Sequence, residues 1–150
     1  MPVISRQARD VRHSMRGFTL LEVLVAIVVL SIGLLGLAGL MASSLKNSHS
    51  AYQRTQATWL AYDALDRMRA NRQVALAGGY NLALGAAPGG SGLAAIDLGE
   101  WDTALTNTLP AGDGSIAVAA GGVVKIIVQW NDTRGAGGIA AEQFIVDSQL

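Results

Sequence analysis

The chain has 150 residues, 51% of them hydrophobic and 15% charged, with eleven basic and eleven acidic side chains. That length holds one modest domain plus an appendage. The absence of cysteine excludes disulfides and thiolate metal sites.

Charge and hydropathy are segregated along the chain. Residues 1–17 carry Arg6, Arg9, Arg12 and Arg16 against Asp10 and read as a basic leader. A start at Met15 would leave a leader of three residues. Phe18 to Leu45 follow as 28 residues with one charge, Glu22, and from Val23 to Leu45 there is none. As a helix those 23 residues rise about 35 Å, enough for a hydrocarbon core of about 30 Å. A helix of a water-soluble core would show a polar face, and here only Ser31, Ser43 and Ser44 interrupt the run. A secretory signal has an apolar region of roughly 7–15 residues ending in a small-x-small site. This run is longer, and Leu40-Met41-Ala42-Ser43 is a poor match to such a site. The reading is therefore a transmembrane helix over 18–45. Four arginines before it, against Lys46 and Arg54 just after it, predict a cytoplasmic N-terminus.

No proline occurs between Pro2 and Pro88, so nothing forces the helix to stop at the membrane surface. Over 46–77 the pattern becomes amphipathic. Leu45, Tyr52 and Trp59 recur by seven, and Ala57, Leu60, Ala61, Ala64, Leu65 and Met68 form a second apolar stripe at helical spacing. Arg67, Arg69 and Arg72 suit a helix C-terminus, and Gly78-Gly79 ends the pattern. One helix from Phe18 to about Ala77 is predicted.

Residues 78–150 read as a globular head. The Gly85–Gly92 stretch is a loop by composition. Asp97, with Glu100 three residues on, predicts the cap of a short helix over 98–109 that carries Trp101, Leu105 and Leu109 on one face. After the Pro110–Gly114 turn come three strand-like segments, 115–120, 123–131 and 139–148. Gly121-Gly122 reads as a two-residue hairpin, and Asp132–Gly138 as a longer loop. Val124, Ile126, Val128 and Trp130 alternate with polar or outward positions. The fold class is α+β: a long N-terminal helix packed on a small antiparallel β-meander, which supplies the partner that its amphipathic half needs.

No catalytic constellation is visible. His13 and His49 have no ligand partners at metal spacing, and Asp63 and Asp66 among Arg67 and Arg69 read as a solvated helical face. The glycine-rich loops do not have the strand–loop–helix context of a nucleotide site. Gly33, Gly36 and Gly39 are spaced by three, unlike a GxxxG helix-pairing motif. The expectation is a non-enzymatic chain with no cofactor, no metal and no nucleic-acid partner evident.

Glu22 is the one charge in the apolar run, and two readings stand. A carboxylate at the centre of a bilayer helix costs about 2.5–3.5 kcal/mol on insertion scales. Glu22 either snorkels to the cytoplasmic headgroups or awaits a cationic partner. Cutting the chain after Gly17 would create such a partner, an α-amino group on Phe18, four residues away. In a staggered stack that amine could meet Glu22 of a neighbour and lower the cost of burying both charges.

Arg16-Gly17-Phe18-Thr19-Leu20-Leu21-Glu22-Val23-Leu24 resembles the class III signal of type IV pilins and type II secretion pseudopilins: a short basic leader ending in Gly, then Phe-Thr, two hydrophobic residues, Glu and a long apolar helix. The resemblance implies cleavage between Gly17 and Phe18 by prepilin peptidase, N-methylation of Phe18, and an assembly role for Glu22, with Arg16, Thr19, Leu20 and Leu21 completing the signal. It also implies a type IV pilin-like fold. Val29–Ala38, Asp66–Asn71, Asp97–Trp101 and the final strands with Trp130 are similar to the minor-pilin family of type IV pilus modification protein PilV. Major pilins usually carry a proline in the span, near where Gly39 stands here, and often a C-terminal disulfide loop. This chain has neither. The expectation is a minor pilin of the initiation or tip complex, whose partners are other minor pilins, the pilus assembly machinery, prepilin peptidase and the inner membrane. The alternative is a GspI-like pseudopilin of a type II secretion system, similar over the first 30 or so residues. A signal-anchored periplasmic binding domain, its leader still attached, is a third.

Overall fold

The computed structural model describes residues 17–135 and 137–150. Arg16 and the rest of the leader before Gly17 lie outside them. The chain divides into two compact units at Gly39/Leu40, and each is described by itself.

In the first unit, Gly17–Thr19 are non-helical and helix α1 (Leu20–Ala70) begins directly after them. This section is solvent-exposed throughout, and α1 is the one helix among the described residues that is long and apolar enough to cross a membrane. Val and Ile are only fair helix formers in water. In lipid a helix is favoured regardless, because every backbone N–H and C=O must be satisfied within the segment. Ser31 fits that requirement, its hydroxyl donating to the Ile27 carbonyl at 2.7 Å.

In the second unit α1 continues to Ala70, and its buried residues are Gln53, Ala57, Ala61, Ala64, Leu65 and Met68. This is the second of the two predicted stripes. Leu45, Tyr52 and Trp59 face away from the core, 75%, 59% and 65% exposed. The expected single helix to Ala77 breaks at Asn71, whose backbone (φ −117°, ψ 46°) leaves the helical region before a short helix α2 (Arg72–Leu76). The Asn71 side chain donates to the Tyr80 hydroxyl at 3.2 Å, a local polar bond that competes with helix continuation. Gly78, at φ +82°, then closes the turn in a conformation that L side chains resist.

Helix α3 spans Gly92–Thr108, starting after Ser91 and not at the predicted Leu98. Asp97 is therefore inside the helix and does not cap it. Its carboxylate instead accepts from Tyr80 and Arg67. Ala94, Leu98, Trp101 and Leu105 form the buried stripe of α3, continued by Leu109.

Strands β1 (Asp113–Val118), β2 (Val123–Trp130) and β3 (Glu142–Gln149) form an antiparallel sheet in the order β1-β2-β3. The meander is as predicted, with shifted bounds. β1 starts ahead of Ser115 and ends before Ala120. β2 stops at Trp130. β3 starts beyond Ile139, whose carbonyl accepts the Asp132 N–H at 2.9 Å and so closes a loop. The predicted two-residue hairpin has three loop residues, Ala120–Gly122, closed by Ala119 N–H to the Val123 carbonyl at 2.8 Å. Gly121 and Gly122 both have φ above +80°, which explains the glycine pair. Val124, Ile126, Val128 and Trp130 project into the same core as the α1 and α3 stripes. Gly114 is needed where β1 meets α3: a Cβ there would run into the Trp101 ring and lie 2.9 Å from Leu105 Cδ1.

Candidate functional site

The signal residues sit at the start of α1. Thr19 caps it: the Glu22 N–H donates to Thr19 Oγ1 at 3.2 Å, and the Glu22 and Val23 N–H groups reach the Thr19 carbonyl at 3.1 and 3.2 Å. Glu22 is thus the third residue of the helix, the position where a carboxylate meets the positive end of the helix dipole. Thr19-x-x-Glu22 is a capping-box pattern. It was legible in the sequence but masked by the apolar run around it, while the same pattern at Asp97/Glu100 does not cap.

Phe18 and Glu22 come together on one surface. They line a shallow groove of about 400 Å³ with Val23, Ala26, Ile27 and Leu30. Leu20 and Leu21 point outward, 83% and 73% exposed. Among the described residues the Glu22 carboxylate makes no ion pair. The site therefore offers an apolar ridge, an aromatic ring and one open carboxylate.

Two polar clusters in the second unit were not predicted. Arg67 Nη1 donates to Glu100 at 2.7 Å and to Asp97 at 3.4 Å, and its Nε to Asp63 at 2.9 Å. The Glu100 hydrogen bond is the largest influence on Arg67 and outweighs burial, holding the guanidinium charged. Tyr80 is almost wholly buried, and its hydroxyl donates to Asp97. Burial first, then the Asp97 bond, push the Tyr80 pKa above its ordinary value of 10.0. A raised phenol pKa stabilises the fold below the unfolded value, and that stability is lost as pH rises from about 10 toward the folded value. Between pH 9 and 11 the melting temperature of Tyr80→Phe is expected to fall less than that of the parent. Equal slopes in parallel thermal melts would remove Tyr80 as the titrating group.

The second cluster lies beside β2. Asp132 is fully buried and accepts from the Ser50 hydroxyl of α1, and Gln53, also buried, meets the His49 ring at 3.0 Å. Asp63 and Asp66, expected as a solvated face, are exposed and pair with Arg67 and Arg69 within the helix.

Residues 12–38 match the family described as the prokaryotic N-terminal methylation motif. The chain carries this motif of type IV prepilin-like proteins, and it covers Gly17, Phe18, Thr19 and Glu22. No curated protein and no solved structure matches the chain.

Proposed function

We propose that the protein is a non-enzymatic minor pilin that takes part in initiating or capping a type IV pilus. The observation that carries this reading is the pairing of Phe18 and Glu22 in one groove at the capped start of an exposed apolar helix. In this reading prepilin peptidase cuts after Gly17, and the new amine of Phe18 is methylated. The span holds the subunit in the inner membrane with its N-terminus cytoplasmic and its head periplasmic. During extraction into the filament Glu22 meets the amine of a neighbour, and the apolar residues of α1 leave lipid for packing against other subunits. The absence of cysteine and of a proline between Pro2 and Pro88 supports a minor subunit over an abundant one.

Two measurements test this. Intact mass of the protein from its own cells is expected to begin at Phe18 with one added methyl group, and retention of residues 1–17 would sink the processing step. Deleting the gene is expected to reduce surface pili and twitching while leaving exoprotein secretion intact. Lost secretion with normal pili would place the chain in a type II secretion system.

A further inference from the structure

The two outer edges of the sheet are treated differently. On β1 each outward N–H has a partner. Gly114 donates to Asp113 Oδ1 at 2.7 Å, Ile116 to the Leu82 carbonyl at 2.8 Å, and Val118 to Asn81 Oδ1 at 2.8 Å. On β3 the ladder phase is set by Leu150 N–H donating to the Gly122 carbonyl at 3.0 Å and by the Val123–Gln149 register. Alternation then turns the backbone groups of Gln143, Ile145, Asp147 and Gln149 away from β2. All four residues are exposed, and among the described residues nothing bonds to those outward groups. β3 has no proline and no lysine over its eight residues, and its two charges, Glu142 and Asp147, are each paired with a cation of a neighbouring element, Arg54 and Lys125. Beside it runs a groove of about 340 Å³ between Arg54, Thr55 and Thr58 of α1 and Trp130 and Phe144 of the sheet.

We propose that the outer edge of β3 is a strand-addition site, taken by an extended segment of a different polypeptide that places an apolar side chain in this groove. Only extended backbone can satisfy a row of alternating N–H and C=O groups, which fixes the conformation of the occupant. The groove asks for a neutral, apolar inward residue, because its one cation, Arg54, is already held by Glu142 at 2.9 Å. A second copy fits poorly. Its β1 edge is closed by Leu82, Asn81 and Asp113. Pairing two β3 edges about a two-fold axis reverses one copy. α1 runs alongside β3 in the same direction, Arg54 reaching Glu142 and Arg69 reaching Ser148. The reversed pair would therefore set its two α1 segments antiparallel, with the two Leu40 ends on opposite sides, whereas the proposed function has both subunits held by the same bilayer. The proposal holds for either assembly, pilus or secretion.

The test places a benzophenone amino acid at Gln143 and, separately, at Asp147 of the full chain in its own cells, and maps the cross-linked residues by mass spectrometry. Both probes are expected to mark one segment of one other protein, at positions about four residues apart, as a paired strand requires. Ile145→Pro removes an outward N–H without touching the β2 ladder, and it should reduce both cross-links roughly tenfold. If Ile145→Pro does not reach the membrane fraction, Gln143→Pro with the probe at Asp147 replaces it. Cross-links to this same chain, scattered sites without register, none at all, or yields unchanged by proline would each overturn the proposal.

Discussion

Glu22→Ala is expected to leave cells nearly bare of surface pili, and Glu22→Gln decides why. Under the proposed function Glu22 has two separable duties. As the third residue of α1 behind Thr19, it favours the helix start, an effect of about 0.3–1 kcal/mol. As an open carboxylate in the groove with Phe18, it can meet a cationic amine. Relieving a cost of about 2.5–3.5 kcal/mol by such pairing corresponds to roughly a hundredfold in each subunit's entry into a filament. Glutamine serves at the third helical position nearly as well as glutamate but carries no charge. If pairing dominates, Gln and Ala variants should be equally bald when pili are counted by electron microscopy. Full piliation in Glu22→Gln would reduce the residue to a capping role. A snorkelling carboxylate predicts near-normal counts in both variants.

Trp101→Ala is expected to have the largest effect on stability. The indole is 1% exposed, its Nε1 donates to the Leu60 carbonyl of α1 at 2.8 Å, and its ring abuts Gly114. Truncating a buried aromatic of this size costs about 3–5 kcal/mol, a large share of the roughly 5–15 kcal/mol that holds a typical domain. The substitution also removes the bond that ties α3 to α1. Detergent-solubilised Trp101→Ala should melt well over ten degrees lower, or not cooperatively at all, by circular dichroism. Trp101→Phe keeps most of the apolar area and loses the N–H, so it should fall between. A Trp101→Ala melt within a few degrees of the parent would show that the ring is not a keystone.

The parts of the fold legible in the sequence are those set by repetition. The uncharged run after Glu22, the alanine stripe of α1 and the alternation from Val124 to Trp130 each repeat a periodicity over many residues, and all three correspond to observed elements. Single-residue events were less legible. The break at Asn71 depends on a tyrosine nine residues on, and the displacement of Asp97 from cap to acceptor depends on Arg67, thirty residues earlier. Asp132 reads as a turn residue until α1 brings Ser50 to it. Such pairings are tertiary, and no local pattern announces them. At the candidate site the opposite holds. Thr19 and Glu22 are three residues apart, so their relation is local and legible in the sequence, though the apolar run around them obscures the capping pattern.

The ties between α1 and the rest of the second unit are distributed along the helix. Ser50 holds Asp132, Arg54 holds Glu142, Leu60 accepts from Trp101, Arg67 holds Glu100, and Arg69 reaches the Ser148 hydroxyl. A pull along the helix axis therefore loads these links together, in shear, and does not peel them one at a time. Rupture then requires several to fail at once, the arrangement by which a lap joint outlasts a seam. Under the proposed function, a subunit drawn out of a membrane by its helix would keep its head attached through that loading.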